Sequence, residues 1–172
     1  MASLVFKSLF NRTTTTKDRR TRLRASNKVS ETILIVDDSR TVVHMLKTAL
    51  TQAGYTTLAA ADGERGIQLA RSHRPDLILM DVIMPGINGF QATRILRKDV
   101  ITQEIPIIII SGSEQATEQV WVMRLGANGF IPKPIERGSL FVKVEQVLKE
   151  RELAKLNELA VGANKLSDPL YD

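Results

Sequence analysis

The sequence predicts an α/β fold, a parallel sheet with helices packed on both faces. Three observations predict it. Short, β-branched apolar runs occur at residues 33–36, 77–80 and 105–110, as expected of strands buried on both faces. Between them, apolar residues return every three or four positions, the period of a helix. Runs and helical stretches alternate along the chain, which means parallel strands joined by right-handed crossovers.

The elements follow in order. Ile33, Leu34, Ile35 and Val36 form a strand ending at Asp37-Asp38. Ser39 caps a helix with Val42, Val43, Leu46 and Leu50 on one face, stopping near Gly54. Residues 55–60 make a weaker strand, and residues 63–73 a helix with Ile67, Leu69 and Ala70 that Pro75 breaks. Leu77, Ile78, Leu79 and Met80 form a strand ending at Asp81, followed by a loop with Pro85, Gly86 and Gly89. Residues 90–98 return to helix. The strand at 105–110 ends at Ser111, residues 114–125 are helical, and a short strand at 128–131 ends at Lys133-Pro134. A long amphipathic helix runs from Ser139. Leu140, Val144, Val147 and Leu148 face the sheet, and Leu153, Leu156 and Leu159 continue the spacing as a frayed tail or a partner helix.

At 172 residues the chain holds one domain plus tails. A hydrophobic content of 43% with 25% charged residues is globular. The absence of cysteine excludes disulfides, iron–sulfur clusters, thiolate zinc sites and a cysteine nucleophile. No apolar run is long enough for a transmembrane helix. The net charge of +5 is unevenly placed. Residues 1–30 carry eight basic residues against Asp18, giving +7 and leaving −2 for residues 31–172. A nucleic-acid-binding body is therefore not indicated. Residues 1–30 read as a basic, disordered extension, 31–150 as the domain, and 151–172 as a helical-to-disordered tail in which Asp168 and Pro169 are unstructured. Leu4, Val5, Phe6, Leu9 and Phe10 beside these charges admit a weak membrane-surface contact. The Arg- and Thr-rich, acid-poor composition also admits an organelle transit peptide, although the expectation is a bacterial cytoplasmic protein.

In a parallel sheet the carboxyl ends of all strands share one rim, where such folds bind ligands. Asp37, Asp38, Asp81, Ser111 and Lys133 all fall there. Three carboxylates together stay ionised only beside a cation. The oxygen donors suit a hard ion such as Mg²⁺. A carboxylate beside Mg²⁺ can act as a nucleophile toward phosphorus. Lys133 and Ser111 suit phosphoryl oxygens. Each residue also has a plainer reading: helix-capping acids, a turn aspartate, a polar strand end, a solvated lysine.

The motifs Asp37-Asp38-Ser39, Met80-Asp81-Val82-Ile83-Met84-Pro85-Gly86, Ser111-Gly112, Gly126-Ala127 and Lys133-Pro134, in this order, resemble the receiver domains of two-component signalling over about residues 31–150. The resemblance implies a flavodoxin-like, doubly wound, five-stranded (βα)5 sheet of order 2-1-3-4-5. It implies Asp81 as phosphoacceptor, and Mg²⁺ held by Asp37, Asp38, Asp81 and the backbone carbonyl of Ile83. Lys133 and Ser111 would contact the phosphoryl group, the Lys133–Pro134 bond would be cis, and Phe130 would occupy the aromatic switch position, where many receivers have tyrosine. Residues 84–94 and Val120-Trp121 with Arg124 are similar to receivers of twitching-motility (type IV pilus) chemosensory systems. No output domain is recognised after Lys149, as in stand-alone receivers.

The resemblance thus implies a switch phosphorylated by a histidine kinase or phosphotransfer protein, which also hydrolyses its own aspartyl phosphate. Its output would be a protein target at the face of the fourth helix, fifth strand and fifth helix. The alternatives are a phosphorylation-independent adaptor on the same fold, and a regulator binding nucleic acid through the basic arm.

Overall fold

The computed structural model describes residues 30–112 and 123–165. Its elements are β1 (Thr32–Val36), α1 (Arg40–Gln52), β2 (Thr56–Ala60), α2 (Gly63–His73), β3 (Leu77–Asp81), α3 (Gly89–Lys98), β4 (Ile107–Ser111), β5 (Gly129–Pro132) and α4 (Arg137–Lys165). All strand pairs are parallel and the sheet order is β2-β1-β3-β4-β5. This is the flavodoxin-like order expected above. The helix expected over 114–125 is described only at Met123 and Arg124, which are helical. Val120, Trp121, the basic extension and the chain from Leu166 onward lie outside the described residues.

Side-chain alternation divides each central strand between two cores. Leu34, Val36, Ile78, Met80, Ile107 and Ile109 point to one face, where Ile67 and Ala70 of α2 and Ala92 and Leu96 of α3 cover them. Ile33, Ile35, Leu77, Leu79, Ile108 and Ile110 point to the other, under Leu46 and Leu50 of α1 and Leu140, Val144 and Val147 of α4. Each fully buried Leu or Ile contributes about 1.5–3 kcal/mol, so the double layer dominates stability. Among the described residues, no helix is long and apolar enough to cross a membrane.

Local chemistry moved three predicted boundaries. Tyr55 belongs to the end of α1: its N–H donates to the Leu50 carbonyl and that of Gly54 to Thr51, with Gly54 at φ +94. Two orphan carbonyls are thereby satisfied, as in a Schellman cap. Ile105 closes a turn onto Thr102 ahead of Pro106, and β4 begins at Ile107. Asn128 precedes β5, with its side chain bound elsewhere as described below. The Lys133–Pro134 peptide is cis.

Arg97 of α3 fastens the rear of this half of the fold. Its guanidinium donates to the carbonyls of Gly126 (2.7 Å), Gln103 (2.9 Å) and Ile105 (2.7 Å) and to Oδ1 of Asn128 (2.8 Å). Asn128 Oδ1 also accepts the Ile107 N–H. Burial lowers the Arg97 pKa, opposed by the charge of Glu104. Midway along α4, Arg151 donates to the Asp76 carbonyl at 3.0 Å and pairs with its carboxylate. Beyond Arg151 the helix continues to Lys165, about 21 Å further at 1.5 Å per residue, with Leu153, Leu156, Leu159 and Val161 exposed.

Two stability predictions follow from these geometries. Lysine cannot reproduce the planar fork, so Arg97→Lys should cost about 2 kcal/mol in urea unfolding; an unchanged midpoint would mean the four bonds contribute nothing net. Arg74, which ends α2 at φ 46, occupies a left-handed conformation that favours glycine. Arg74→Gly should therefore stabilise the fold by about 1 kcal/mol, read as a higher thermal midpoint.

Candidate functional site

The rim is assembled by strand termini. β1 delivers Asp37 and Asp38 immediately after Val36. The Asp37 N–H donates to the Ala60 carbonyl at 3.1 Å, and its Oδ1 accepts the Ser39 N–H at 2.8 Å. Ser39 in turn caps α1, accepting from the Val42 N–H. One carboxylate is thus fixed by the turn that starts the first helix. β3 ends on Asp81, opposite Ile110 in register, and β4 continues one residue further to Ser111. Lys133 follows β5, its N–H donating to the Ser111 carbonyl at 2.7 Å.

These placements bring the predicted residues together. One carboxylate oxygen from each of Asp37, Asp38 and Asp81 lies within 4.8 Å of the others. Asp37 and Asp81 are buried, whereas Asp38 is exposed. Lys133 Nζ bridges the two buried acids, donating to Asp81 Oδ1 at 2.8 Å and to Asp37 Oδ2 at 3.1 Å. Ser111 is buried on the same rim. Ile83 is two residues past Asp81, with its side chain 76% exposed. Phe130 is half-buried against the core beneath α2 and α3, opposite Ile109 in register.

The electrostatics are unbalanced. Burial pushes the Asp81 carboxyl above its ordinary value, and the charge of Asp37 adds to that. The hydrogen bond and charge of Lys133 and a backbone hydrogen bond with Val82 oppose it without cancelling it. Burial pulls the Lys133 ammonium down, but its hydrogen bonds to Asp81 and Asp37 and their charges prevail, holding it above the usual lysine range. One ammonium therefore serves a cluster of three acids. The donor set, three clustered carboxylates and no sulfur or imidazole, fits a hard divalent cation.

The response regulator receiver domain family matches residues 33–145. The chain belongs to this family. Protein PilH of Pseudomonas aeruginosa is 46% identical over 116 residues, covering 67% of this chain and 96% of PilH. The transcriptional regulatory protein AfsQ1 of Streptomyces coelicolor is 31% identical over 131 residues, 76% of this chain but only 57% of AfsQ1. Among solved structures, a putative response regulator from Chloroflexus aurantiacus superposes with a TM-score of 0.67 at 33% identity, covering 70% of this chain and 98% of that one. The Vibrio cholerae chemotaxis protein CheY4 does so with a TM-score of 0.66 at 28% identity, covering 69% and 99%. This chain is thus a response regulator receiver of two-component signalling, related to PilH.

Sequence reasoning placed Lys133 at the rim but missed its second bond, to Asp37, which depends on how closely β1 and β5 termini converge in space. It also missed the Asn88–Gln91 capping box that starts α3, although the Asn-x-x-Gln spacing signals one.

The raised Asp81 value gives a pH-dependent prediction. A carboxyl that holds its proton more tightly when folded loses stability as pH rises from its unfolded value, about 4, through the folded one. At neutral pH its charge is then a net burden on the metal-free fold. Asp81→Asn should raise the thermal midpoint in chelator-treated protein at pH 7 to 8, with the gain vanishing toward pH 4. A lower midpoint at pH 7 would mean that Lys133 more than compensates the burial of Asp81.

Proposed function

We propose that this receiver is a phosphorylation-activated switch with Asp81 as its phosphoacceptor. A histidine kinase or phosphotransfer protein presents phosphohistidine. A carboxylate oxygen of Asp81 attacks phosphorus in line; the O–P bond forms as the N–P bond breaks, and the imidazole nitrogen keeps the electron pair. Lys133, already on Asp81, remains beside the transferring oxygens as a fixed positive charge. Asp37, Asp38 and Asp81, with the Ile83 carbonyl, would hold Mg²⁺, which when bound supplies charge neutralisation for the carboxylates and the phosphoryl oxygens.

Ser111 and Phe130 then report the phosphoryl group. The Ser111 hydroxyl moves to the phosphoryl oxygens, the vacated space admits Phe130, and the face bearing β5 and the start of α4 changes for a downstream protein. The phenyl ring has no hydroxyl, so this switch works by packing alone. Hydrolysis of the aspartyl phosphate resets it. The domain is residues 31–150, and its setting is the cytoplasm of a bacterium, with no specific nucleic-acid target. The identity with PilH supports a place in pilus-linked or chemotactic control.

The observation that carries the reading is the convergence of three carboxylate oxygens within 4.8 Å, two of them on residues shared by Lys133. A phosphorylation-independent adaptor has no use for charges that strain its own fold. With acetyl phosphate and Mg²⁺, intact-mass measurement should show one phosphoryl group on the wild type and none on Asp81→Asn. Lys133→Ala should fold yet take the group slowly. Full labelling of Asp81→Asn would overturn the assignment.

A further inference from the structure

The loop of residues 82–88 joins Asp81 to α3 and carries the Ile83 carbonyl. Its two ends are closed by its own neighbours. The Gly89 N–H donates to the Val82 carbonyl at 3.0 Å, and a Cβ on Gly89 would lie 2.1 Å from the Asp81 carbonyl oxygen, so only glycine fits. Asn88 and Gln91 lock the far end through their reciprocal cap.

The tip of the loop is held by a different element. Glu64, in the first turn of α2, accepts the Ile87 N–H through Oε1 at 3.3 Å. Its carboxylate lies over Gly86, where a Cβ would stand 3.0 Å from Oε1 and 3.2 Å from Oε2. Gly86 adopts φ +73, a left-handed turn that leaves this side of the chain open. Beside Glu64, Gly63 packs so closely that a Cβ there would meet the Ile87 carbonyl oxygen at 2.4 Å. The start of α2 and the Gly86–Ile87 turn are therefore fitted to each other at two adjacent residues. Glu64 is not among the three clustered acids.

We propose that Glu64 is a positioning residue for the site. It anchors the 82–88 loop so that the Ile83 carbonyl is set in place before a divalent cation arrives. This rests on the reading that the acid cluster holds Mg²⁺. Mg²⁺ tolerates little departure from octahedral geometry, and a carbonyl on an untethered loop would have to be ordered during binding. Glu64 acts through the loop and touches no reacting atom.

The test compares full-length wild type, Glu64→Ala and Glu64→Gln. Two quantities are measured by NMR: Mg²⁺ affinity, and hydrogen exchange of the Ile87 amide in metal-free protein. Glutamine keeps a carbonyl acceptor at the same reach but no charge. Glu64→Ala should weaken Mg²⁺ binding by roughly 3- to 10-fold, the worth of one hydrogen bond, and speed Ile87 exchange by a similar factor. Glu64→Gln should restore most of both. If Glu64→Ala leaves either quantity unchanged, the tether is absent or irrelevant. If Glu64→Gln behaves like Glu64→Ala in affinity while Ile87 exchange is restored, Glu64 acts by charge at a distance and the proposal fails. No Mg²⁺ binding by wild type would instead overturn the cation reading itself, and the exchange data would still show whether Glu64 pins the loop.

Discussion

An ammonium held between two buried carboxylates is the interaction on which the rest of the rim depends. Asp37 and Asp81 come from strands adjacent in the sheet, and Lys133 reaches both from β5, the edge strand. Burying an unpaired carboxylate costs several kcal/mol, and the lysine offsets much of that cost for both acids. The lysine cannot satisfy both acids and Asp38 besides. What remains is a standing excess of negative charge in a partly enclosed place, which is a description of a receptor for a cation and for the phosphoryl group that a cation accompanies.

The parallel sheet makes this possible by sorting its residues twice. Across its thickness, alternation sends Leu34, Val36, Ile78 and Met80 beneath one pair of helices and Ile33, Ile35, Leu77 and Leu79 beneath the other. Along its length, every strand points the same way, so the last residue of each is a rim residue. Chemistry and packing are thereby separated: substitutions at the rim meet charge and solvent, whereas substitutions one or two residues earlier meet the core.

That separation is also why so much was legible in the sequence. β1, β3 and β4 are buried on both faces and declare themselves as unbroken apolar runs, and Asp37, Asp81 and Ser111 stand where those runs stop. β2 is an edge strand with two exposed threonine or alanine positions, and its signal is correspondingly weak. The misplaced boundaries at Tyr55 and Ile105 reflect hydrogen bonds to preceding turns, which composition does not encode. Arg97 and Glu64 were silent for a related reason. A charged residue on a helix ordinarily reads as a solvated face, and only the fold reveals that one faces four oxygens and the other a loop from a neighbouring strand.

The strand order has a consequence for the nascent chain. β1 is made first yet lies inside the sheet, between β2 and β3, and Asp37 waits for a partner 96 residues downstream. At a synthesis rate of about 5–20 residues per second, Lys133 follows Asp37 by roughly 5–20 s. Within that interval β2 and β3, which flank β1, are both made, so Asp37 and Asp81 stand side by side before their shared ammonium exists. Charge repulsion at the tops of β1 and β3 thus opposes close approach of the two acids in a half-made sheet, and β5 brings the lysine that relieves it. In a chain of this topology the last strand neutralises what the first strand began.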